Sequence, residues 1–266
     1  MKKLGILLIL AFLALVGIHF FISPAPDEFS EDDLYEKIKA RGVLKVGINP
    51  NSKPFGFINA KGDYDGYDVD LARYIAQYIV NNPEKFEIVP VTSSNRLLKA
   101  STGEADIVIS TITITPQREQ IVSFSIPYDV AGQAVLVKKS SSITALSDLA
   151  GQNVGVIFGT TAEKNMKNLV PNANLLGFRE YQEAYEALKS GKINAITSDD
   201  TILSRFALND SAVKLLPKRY SREPYGIAFK KSTSTVKLKE NLDFIIEDLQ
   251  RKNVITRLHH KWGIGE

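Results

Sequence analysis

The sequence predicts an α/β protein built as two lobes, and three observations support this fold class. Short apolar strands alternate with amphipathic helices along most of the chain, which is typical of parallel sheets with helical crossovers. The alternation begins again after Gly132, so the chain contains two such units. With 266 residues it is also long enough to bury two modest hydrophobic cores.

The composition excludes several classes of function. Apolar residues make up 44% of the chain and charged residues 24%, as in ordinary globular proteins. The absence of cysteine rules out disulfides, thiolate metal sites and a cysteine nucleophile. The net charge is only +3 and opposite charges are interspersed, so no basic surface for nucleic acid is predicted. We therefore expect no cofactor, no metal site and no nucleic-acid partner.

The first 25 residues are typical of a segment that directs a chain to the membrane. Lys2 and Lys3 precede residues 4–22, an apolar run that is long for a signal peptide and just long enough to span a bilayer. A signal peptide and a signal anchor both stay open for residues 1–25, whereas a soluble core helix is disfavoured because the run has no polar face. We expect export to the periplasm or the outer face of the cytoplasmic membrane, with the protein released or tethered by residues 4–22.

Residues 26–42 are predicted to form a polar stalk or linker with a helical second half, and the two α/β units follow in order. The first unit is predicted to contain strands at 43–48, 86–91 and 107–109, with helices after Gly66 and from about Asn95. The second unit begins at 132–137 and is predicted to contain strands at 154–156, 175–178 and 193–196, with helices at 181–188 and from about Thr161 and Asp199. A strand at 226–229 and helices at 236–250 and 254–262 complete the predicted elements.

Polar residues follow the strands of the first unit at the carboxyl edge of the sheet, where α/β proteins bind ligands. Thr111, Thr113 and Thr115 alternate along an extended segment, so their hydroxyl groups share one direction. Pro116 suits the first helical position, and Arg118 then falls in the first turn, where a cation opposes the helix dipole. A bound carboxylate would account for this arginine, and a surface arginine after a threonine-rich strand is the alternative.

A second arginine follows another strand of the same unit. Ser93 and its neighbours up to Asn95 are typical helix caps, but capping does not account for Arg96. Two arginines at neighbouring strand ends repel each other unless an anion lies between them. The pair therefore favours an anionic ligand.

The second unit offers groups that complement the two arginines. Of Asp199 and Asp200, one is expected to cap the following helix and the other to pair with an ammonium group. Gly159 permits a tight turn before Thr160 and Thr161, where free backbone N–H groups at a helix start favour an anion. Together these residues predict a receptor for a zwitterion in a cleft between the lobes.

Common enzyme motifs are absent from the sequence. It lacks G-x-S-x-G, a P-loop and a G-x-G-x-x-G turn after a strand, so we expect no catalytic residue. His259 and His260 are predicted on a solvated face of the last helix. Asp68 and Asp70 are predicted in the first turn of a helix, where acidic side chains match the dipole.

Six segments give the chain a specific resemblance to a known family. They are residues 42–47, 66–72, 112–118, 122–128, 159–164 and 197–200, and they occur in the family's order. From about Gly42 to Gly263 the chain resembles the bacterial extracellular solute-binding proteins of family 3. These are the receptors that supply ABC importers with polar amino acids such as glutamate, aspartate and glutamine.

The resemblance implies a type II periplasmic-binding-protein fold. In this fold each lobe is a mainly parallel sheet flanked by helices, and two strands form the hinge. Lobe 1 would comprise residues 43–127 plus 228–266, and the hinge strands with lobe 2 would comprise residues 128–227. The chain is then expected to cross between the lobes near 127–133 and 222–227.

The resemblance also assigns ligand contacts to particular residues. Arg118 would bind the α-carboxylate with help from Thr113, and Asp199 would bind the α-ammonium group. Thr111 stands where many relatives have glycine, and its carbonyl would also receive the ammonium. In family members a turn of lobe 2 closes on the ligand carboxylate, and Thr160 and Thr161 stand at the matching positions of this chain.

Other residues would recognise the side chain of the ligand. Ser93 and Arg96 resemble the Ser-x-x-Arg of glutamate- and aspartate-binding members, in which the arginine binds the side-chain carboxylate. Ser52 and Ser93 stand where receptors for glutamine and basic amino acids often have stacking aromatics, which argues against lysine or arginine as the ligand. Asn49 replaces a charged residue of other members and weakens the case for glutamate over glutamine. We expect glutamate or aspartate first and glutamine next.

The function implied by the resemblance is capture of a polar amino acid by hinge closure and its delivery to an ABC permease in the membrane. Such a receptor is expected to be monomeric. Two alternatives stay open, namely an enzyme similar to cyclohexadienyl dehydratases on the same scaffold and an amino-acid sensor domain.

Overall fold

A computed structural model describes residues 33–265 of the chain. The predicted signal segment at 1–25 and the start of the predicted linker, 26–32, lie outside the described residues. The helices are α1 (Leu34–Arg41), α2 (Tyr67–Val80), α3 (Arg96–Thr102), α4 (Pro116–Glu119), α5 (Thr161–Leu169), α6 (Tyr181–Ser190), α7 (Asp200–Asn209), α8 (Val236–Arg251) and α9 (Val254–Trp262), with short 3-10 helices at Leu146–Leu149 and Thr233–Thr235. The strands are β1 (Leu44–Ile48), β2 (Asn51–Ser52), β3 (Gly56–Ile58), β4 (Tyr64–Asp65), β5 (Phe86–Pro90), β6 (Ile107–Val108), β7 (Val122–Phe124), β8 (Asp129–Ala131), β9 (Gln133–Lys138), β10 (Asn153–Ile157), β11 (Asn174–Phe178), β12 (Ala195–Asp199), β13 (Val213–Leu215), β14 (Glu223–Tyr225) and β15 (Ala228–Lys230).

The first five-stranded sheet has the strand order β5-β1-β6-β15-β7. Strand β1 pairs in parallel with β5 and β6, so Val46 lies between Ile88 and Ile107. Strand β15 pairs antiparallel with β6 and β7. Leu44, Val46 and Ile48 are fully buried, and β1 contacts both α2 and α3. Because parallel strands end at one edge of a sheet, the loops that follow β1, β5 and β6 meet there.

The second five-stranded sheet has the strand order β11-β10-β12-β9-β13. Strand β10 pairs in parallel with β11 and β12, whereas β9 pairs antiparallel with β12 and β13. In this register Asp199, the last residue of β12, lies opposite Gln133, the first residue of β9. The carboxyl ends of β10 and β12 therefore carry the turn at Gly159 and the carboxylate of Asp199 to the same edge.

Two short strands connect the sheets. Strands β8 and β14 pair antiparallel, with Val130 opposite Pro224. Strands β9 to β13, which form the second sheet, lie between them in the sequence, and β15 rejoins the first sheet. This pair is the two-stranded hinge of the predicted fold class. The first sheet with its helices is called lobe 1 below, and the second sheet with its helices lobe 2.

Two predicted strands begin later than expected. The strand predicted at 193–196 is Ala195–Asp199, because the N–H of Ile193 donates to the carbonyl of Ala187 at 3.3 Å and continues the turn after α6. The strand predicted at 226–229 is Ala228–Lys230, since the N–H of Gly226 donates to the loop carbonyl of Ile112 at 3.0 Å. A small sheet of β2, β3 and β4 was not predicted, because strands of two or three residues carry too little periodicity.

Helix α1 packs on lobe 1 through Ile38, which is fully buried, and it contacts α2 and α8. Residues Leu34–Glu266 form one compact unit, which includes this helix. None of the helices described between residues 33 and 265 combines the length and the apolar character needed to cross a bilayer.

Candidate functional site

The loop after β6 forms the floor of the site in lobe 1. Arg96 is only 3% exposed, and its Nη1 donates to the carbonyl oxygen of Ser110 and, at 3.2 Å, to that of Thr111. Thr111 has a φ of 47°, in the left-handed region that β-branched residues rarely adopt. Its N–H donates to the Tyr128 hydroxyl at 3.2 Å. The turn is therefore fixed by Arg96 on its carbonyl side and by Tyr128 on its N–H side.

Arg118 connects the two lobes. It lies in α4, where the Thr115 hydroxyl caps the helix by accepting the Arg118 N–H at 3.3 Å. Its Nη1 donates to the carbonyl of Thr113 at 2.8 Å, and its Nη2 donates to the carbonyl of Gly159 in lobe 2 at 3.0 Å. Burial and the neighbouring charge of Arg96 lower the pKa of Arg118 to about 10, so the guanidinium stays charged at neutral pH.

Asp199 supplies the acidic group of lobe 2. The carboxylate is 6% exposed, and its Oδ2 accepts a 2.5 Å hydrogen bond from the hydroxyl of Tyr225. Burial raises the pKa of Asp199 to about 6, against the opposing effects of the Tyr225 hydrogen bond and the charges of Arg96 and Arg118. The group is therefore mainly ionised at neutral pH. Arg118 and Asp199 are each held by neutral partners, so both charges are available to a ligand.

The turn before α5 faces lobe 1 from the opposite side. The Thr160 hydroxyl donates to the carbonyl of Ile157 at 2.7 Å, and the Thr161 hydroxyl donates to Oε2 of Glu223 at 2.9 Å. Both hydroxyl groups are thus occupied within the protein. The N–H groups in the first turn of α5, which have no partner inside the helix, remain as donors for a ligand.

Close contacts hold the lobes together around these groups. Gly159 has a φ of 80°, and a Cβ atom on it would lie 2.4 Å from the carbonyl oxygen of Ser93 in lobe 1. Asn51 and Glu180 of lobe 2 line a cavity of about 530 Å³ at the boundary between the lobes. The structure therefore describes the lobes in a closed arrangement.

The predicted site residues fall into two groups. The lobe boundary brings together Arg96, Thr111, Thr113, Arg118, Ser93, Thr160, Thr161 and Asp199. Asn49 is 2% exposed, and its Oδ1 accepts the N–H of Asn51 at 3.0 Å. Its side chain therefore closes the turn after β1.

Two further residues of the site were not identified from the sequence. Tyr225 holds Asp199, and Glu223, which is 3% exposed, accepts hydrogen bonds from Thr161, Asn165 and Ser221. Both lie on β14, a strand of three residues. Their position next to a predicted lobe crossing was the one available signal.

The structure corrects two expectations about titratable residues outside the motifs. His259 is half-buried rather than solvated, with Nε2 3.0 Å from Oδ2 of Asp129 and its ring against Tyr67, whereas His260 is exposed as predicted. Asp70 lies in the first turn of α2 as predicted and binds the Lys261 ammonium at 2.6 Å. Asp68, in the same turn, is only 1% exposed. A favourable interaction with the helix dipole does not explain why a carboxylate is buried at this position. Within the part of the chain that the structure describes, acidic and histidine side chains form no cluster able to hold a metal ion.

Two α/β lobes on a two-stranded hinge, with cationic and anionic groups at their boundary, define a receptor for small solutes. Residues 44–266 match the family model of bacterial extracellular solute-binding proteins, family 3, and the chain belongs to this family. It is 40% identical over 200 residues to the glutamine-binding protein of Geobacillus stearothermophilus, covering 74% of this chain and 76% of that protein. It is 34% identical over 235 residues to the ABC transporter glutamine-binding protein of Bacillus subtilis (strain 168), covering 88% and 85%.

A solved structure shows the same architecture. The crystal structure of an ancestral amino acid-binding protein, described as a precursor of cyclohexadienyl dehydratase, superposes with a TM-score of 0.79 at 33% identity. The match covers 86% of this chain and 98% of that one.

Proposed function

We propose that the protein is the extracytoplasmic receptor of an ABC importer and captures one polar amino acid by closing its two lobes. Family membership over residues 44–266 and the names of the two glutamine-binding relatives support this class of function. The chain segments 43–127 plus 228–266 would move as one lobe and 128–227 as the other. The pivot would be the pair of strands β8 and β14.

The observation that carries the proposal is the position of Arg118 between the lobes. Its guanidinium already reaches carbonyl groups of both lobes, and Asp199 provides the opposite charge nearby. An α-carboxylate would bind Arg118 and the N–H groups at the start of α5, with Thr113 assisting. The α-ammonium group would bind Asp199 and the carbonyl of Thr111.

For the side chain of the ligand we propose glutamine ahead of glutamate and aspartate. The sequence favoured the opposite order, which stays untested. Nη1 of Arg96 donates to the carbonyls of Ser110 and Thr111, so part of its hydrogen-bonding capacity is used within the protein. A carboxylate binds best to two N–H donors of one guanidinium, whereas a neutral amide requires fewer of these donors. With Ser93 also neutral, the surroundings suit an amide.

A thermal-shift screen of the purified protein against the twenty amino acids tests this proposal. A ligand that binds only the folded state raises the melting temperature by mass action, so we expect the largest increase with glutamine. Titration calorimetry then gives the affinities for glutamine, glutamate and aspartate. A screen in which none of the amino acids raises the melting temperature would refute the proposal.

The enzyme alternative keeps one supporting observation, the similarity to a precursor of cyclohexadienyl dehydratase. Asp199, with its pKa raised to about 6 by burial, is the carboxyl group at the lobe boundary that an acid–base mechanism would use. We propose binding without catalysis. Incubation with prephenate and with arogenate is expected to give no turnover, and measurable turnover would overturn this choice.

We also propose that residues 1–25 export the protein to the periplasm or to the outer face of the cytoplasmic membrane, where it acts as a monomer with its permease. The amino-terminal sequence of the protein isolated from cells would show whether the segment is removed or retained as an anchor. Light scattering would give the oligomeric state.

A further inference from the structure

A group of buried polar side chains lies next to Arg96, apart from the groups assigned to the α-carboxylate and α-ammonium. We propose that Asp68 is a buried proton-binding group that controls how strongly Arg96 attracts an anionic ligand side chain, so that the preference between glutamate and glutamine changes with pH. The inference rests on the proposed function, because Arg96 has to face the side chain of the bound amino acid.

The surroundings of Asp68 are unusual for a carboxylate. It is 1% exposed, and neither of its oxygens accepts a hydrogen bond of normal geometry from residues 33–265. The hydroxyl of Tyr67 and Nε of Arg96 are likewise buried without a partner in that range. Because an unpaired ionised carboxylate is costly to bury, such a group retains a proton to higher pH.

The neighbouring Asp70 shows that this is not a general property of the helix. Two residues further along α2, its carboxylate accepts hydrogen bonds from Lys261 at 2.6 Å, Trp262 at 2.8 Å and Arg73 at 3.0 Å. The negative charge of Asp70 is therefore balanced by hydrogen bonds and ion pairs, whereas that of an ionised Asp68 would not be.

The charged and titratable groups around Asp68 act in both directions. Burial, followed by the charge of Asp129, raises the pKa of Asp68 to about 8, while Arg96 and the Tyr128 hydroxyl favour the ionised form. Asp129 is itself paired with Nε2 of His259 at 3.0 Å. Asp68 is thus expected to change its charge within the range of pH in which the protein is folded.

A short chain of contacts links Asp68 to the ligand site. The Tyr128 hydroxyl, which neighbours Asp68, accepts the N–H of Thr111 at 3.2 Å, and the carbonyl of Thr111 accepts Nη1 of Arg96 at 3.2 Å. A change of charge at Asp68 therefore changes the electrostatic potential at Arg96 and at the loop that contains Thr111.

The sign of the effect follows from the charges. When Asp68 is protonated, Asp199 is the remaining carboxylate whose charge acts on Arg96, so Arg96 attracts a ligand carboxylate more strongly. When Asp68 ionises, it compensates Arg96, and a second carboxylate nearby is disfavoured. A neutral amide is almost indifferent to this change. The affinity for glutamate should therefore fall relative to that for glutamine as the pH rises, and Asp68 should take up a proton when glutamate binds.

Titration calorimetry of the whole protein with both ligands tests the inference. The ratio of the glutamate Kd to the glutamine Kd is expected to rise about fivefold or more between about pH 6.5 and pH 9.5. Both ligands carry an α-amino group, and that of glutamate is slightly more basic, so its ionisation shifts this ratio only weakly and in the opposite direction. In Asp68→Asn the ratio should stay within about twofold. The matched variant Asp70→Asn should keep the slope of the natural protein.

A flat ratio in the natural protein, or an unchanged slope in Asp68→Asn, would overturn the inference. If glutamine binds and the ratio is flat, the inference fails and the proposed function stands. If neither amino acid binds, both fail. Proton uptake by the natural protein provides a measurement that does not depend on the folding of a variant. Calorimetry in two buffers of different ionisation enthalpy gives the number of protons taken up on binding. This number should be larger for the binding of glutamate than for the binding of glutamine, and equal numbers would contradict the inference.

Discussion

The guanidinium of Arg118 donates a 3.0 Å hydrogen bond to the carbonyl oxygen of Gly159 and so joins the two lobes through one side chain. Its other terminal nitrogen donates to Thr113 at 2.8 Å. Thr113 belongs to lobe 1 and Gly159 to lobe 2, so a carboxylate held here contacts both. A ligand with contacts in both lobes favours the closed arrangement, because it binds that arrangement more tightly than the open one.

Replacement of this arginine should abolish most of the binding. Arg118→Ala is expected to lose about 2–5 kcal/mol of ligand affinity in titration calorimetry, since one partner of a buried charge pair is removed. Arg257→Ala is a suitable control, because Arg257 is an exposed arginine that donates to the carbonyl of Lys252 at 2.9 Å. Unchanged affinity in Arg118→Ala for every amino acid that binds the natural protein would disprove the assignment.

The turn at Gly159 should be sensitive to the smallest possible side chain. In Gly159→Ala the new methyl group would meet the carbonyl oxygen of Ser93 at 2.4 Å, and a φ of 80° is unfavourable for alanine. The lobes could then not approach to the observed distance. We expect affinity to fall about tenfold or more, and small-angle scattering should show less compaction on addition of ligand.

The clash can be separated from the backbone effect with a second glycine. Gly151 has a φ of 73°, and a Cβ on it would meet no atom within 4 Å. Gly151→Ala should therefore reduce stability to a similar extent while ligand affinity stays unchanged. Equal affinity in the two variants would show that the contact between Gly159 and Ser93 does not limit closure.

The hydrogen bond from Tyr225 to Asp199 should set the acidic limit of binding. Asp199 must be ionised to bind an ammonium group, so affinity should decrease as the pH falls through its pKa of about 6. The Tyr225 hydroxyl lowers that pKa, so Tyr225→Phe should move the decrease upward by about one pH unit. Loss of a hydrogen bond to a charged group should also cost about 1.5–3 kcal/mol of stability. Affinity measured between about pH 5 and pH 8 tests the shift.

Tyr185→Phe is the matched control for this experiment. The Tyr185 hydroxyl bonds the carboxylate of Asp210, outside the ligand site, so its removal should leave the pH profile of binding unchanged. An identical profile for Tyr225→Phe and the natural protein would mean that Asp199 does not bind the ammonium group.

The residues that could be predicted from the sequence are those whose local pattern conflicts with a purely structural role. Arg118 and Arg96 stand in the first turns of helices, where cations are unfavourable, and this conflict predicted that each guanidinium has partners outside its helix. Some strands were predicted for a different reason, because a buried strand such as β6 lies in a continuous apolar run.

Residues whose role depends on partners distant in sequence could not be predicted in this way. Tyr225 meets Asp199 across 26 positions, and Glu223 meets Thr161 across 62. No periodicity connects such positions. An isolated tyrosine or glutamate in a short strand carries no sequence signal that distinguishes a partner of a site residue from an ordinary strand residue. Asp68 was assigned to the helix dipole, because local sequence encodes neither its burial nor the nearby charges of Asp129 and Arg96.

The left-handed backbone at Thr111 could not be predicted from the sequence, because the conformational preference of threonine disfavours it. A φ of 47° is unfavourable for a β-branched residue, yet Arg96 and Tyr128 hold this turn in place. Glycine adopts such a backbone without steric cost, whereas alanine retains the penalty. Thr111→Gly should therefore be more stable than Thr111→Ala by about 1 kcal/mol in urea-induced unfolding.

A helical position provides the reference for that comparison. At Glu186, which is exposed within α6, the order should be reversed, and alanine should be more stable than glycine by about 1 kcal/mol. If alanine were also the more stable residue at position 111, the turn would not hold a positive φ in solution. The carbonyl of Thr111 would then lack the orientation that Arg96 and the ligand ammonium require, because that orientation depends on the left-handed backbone.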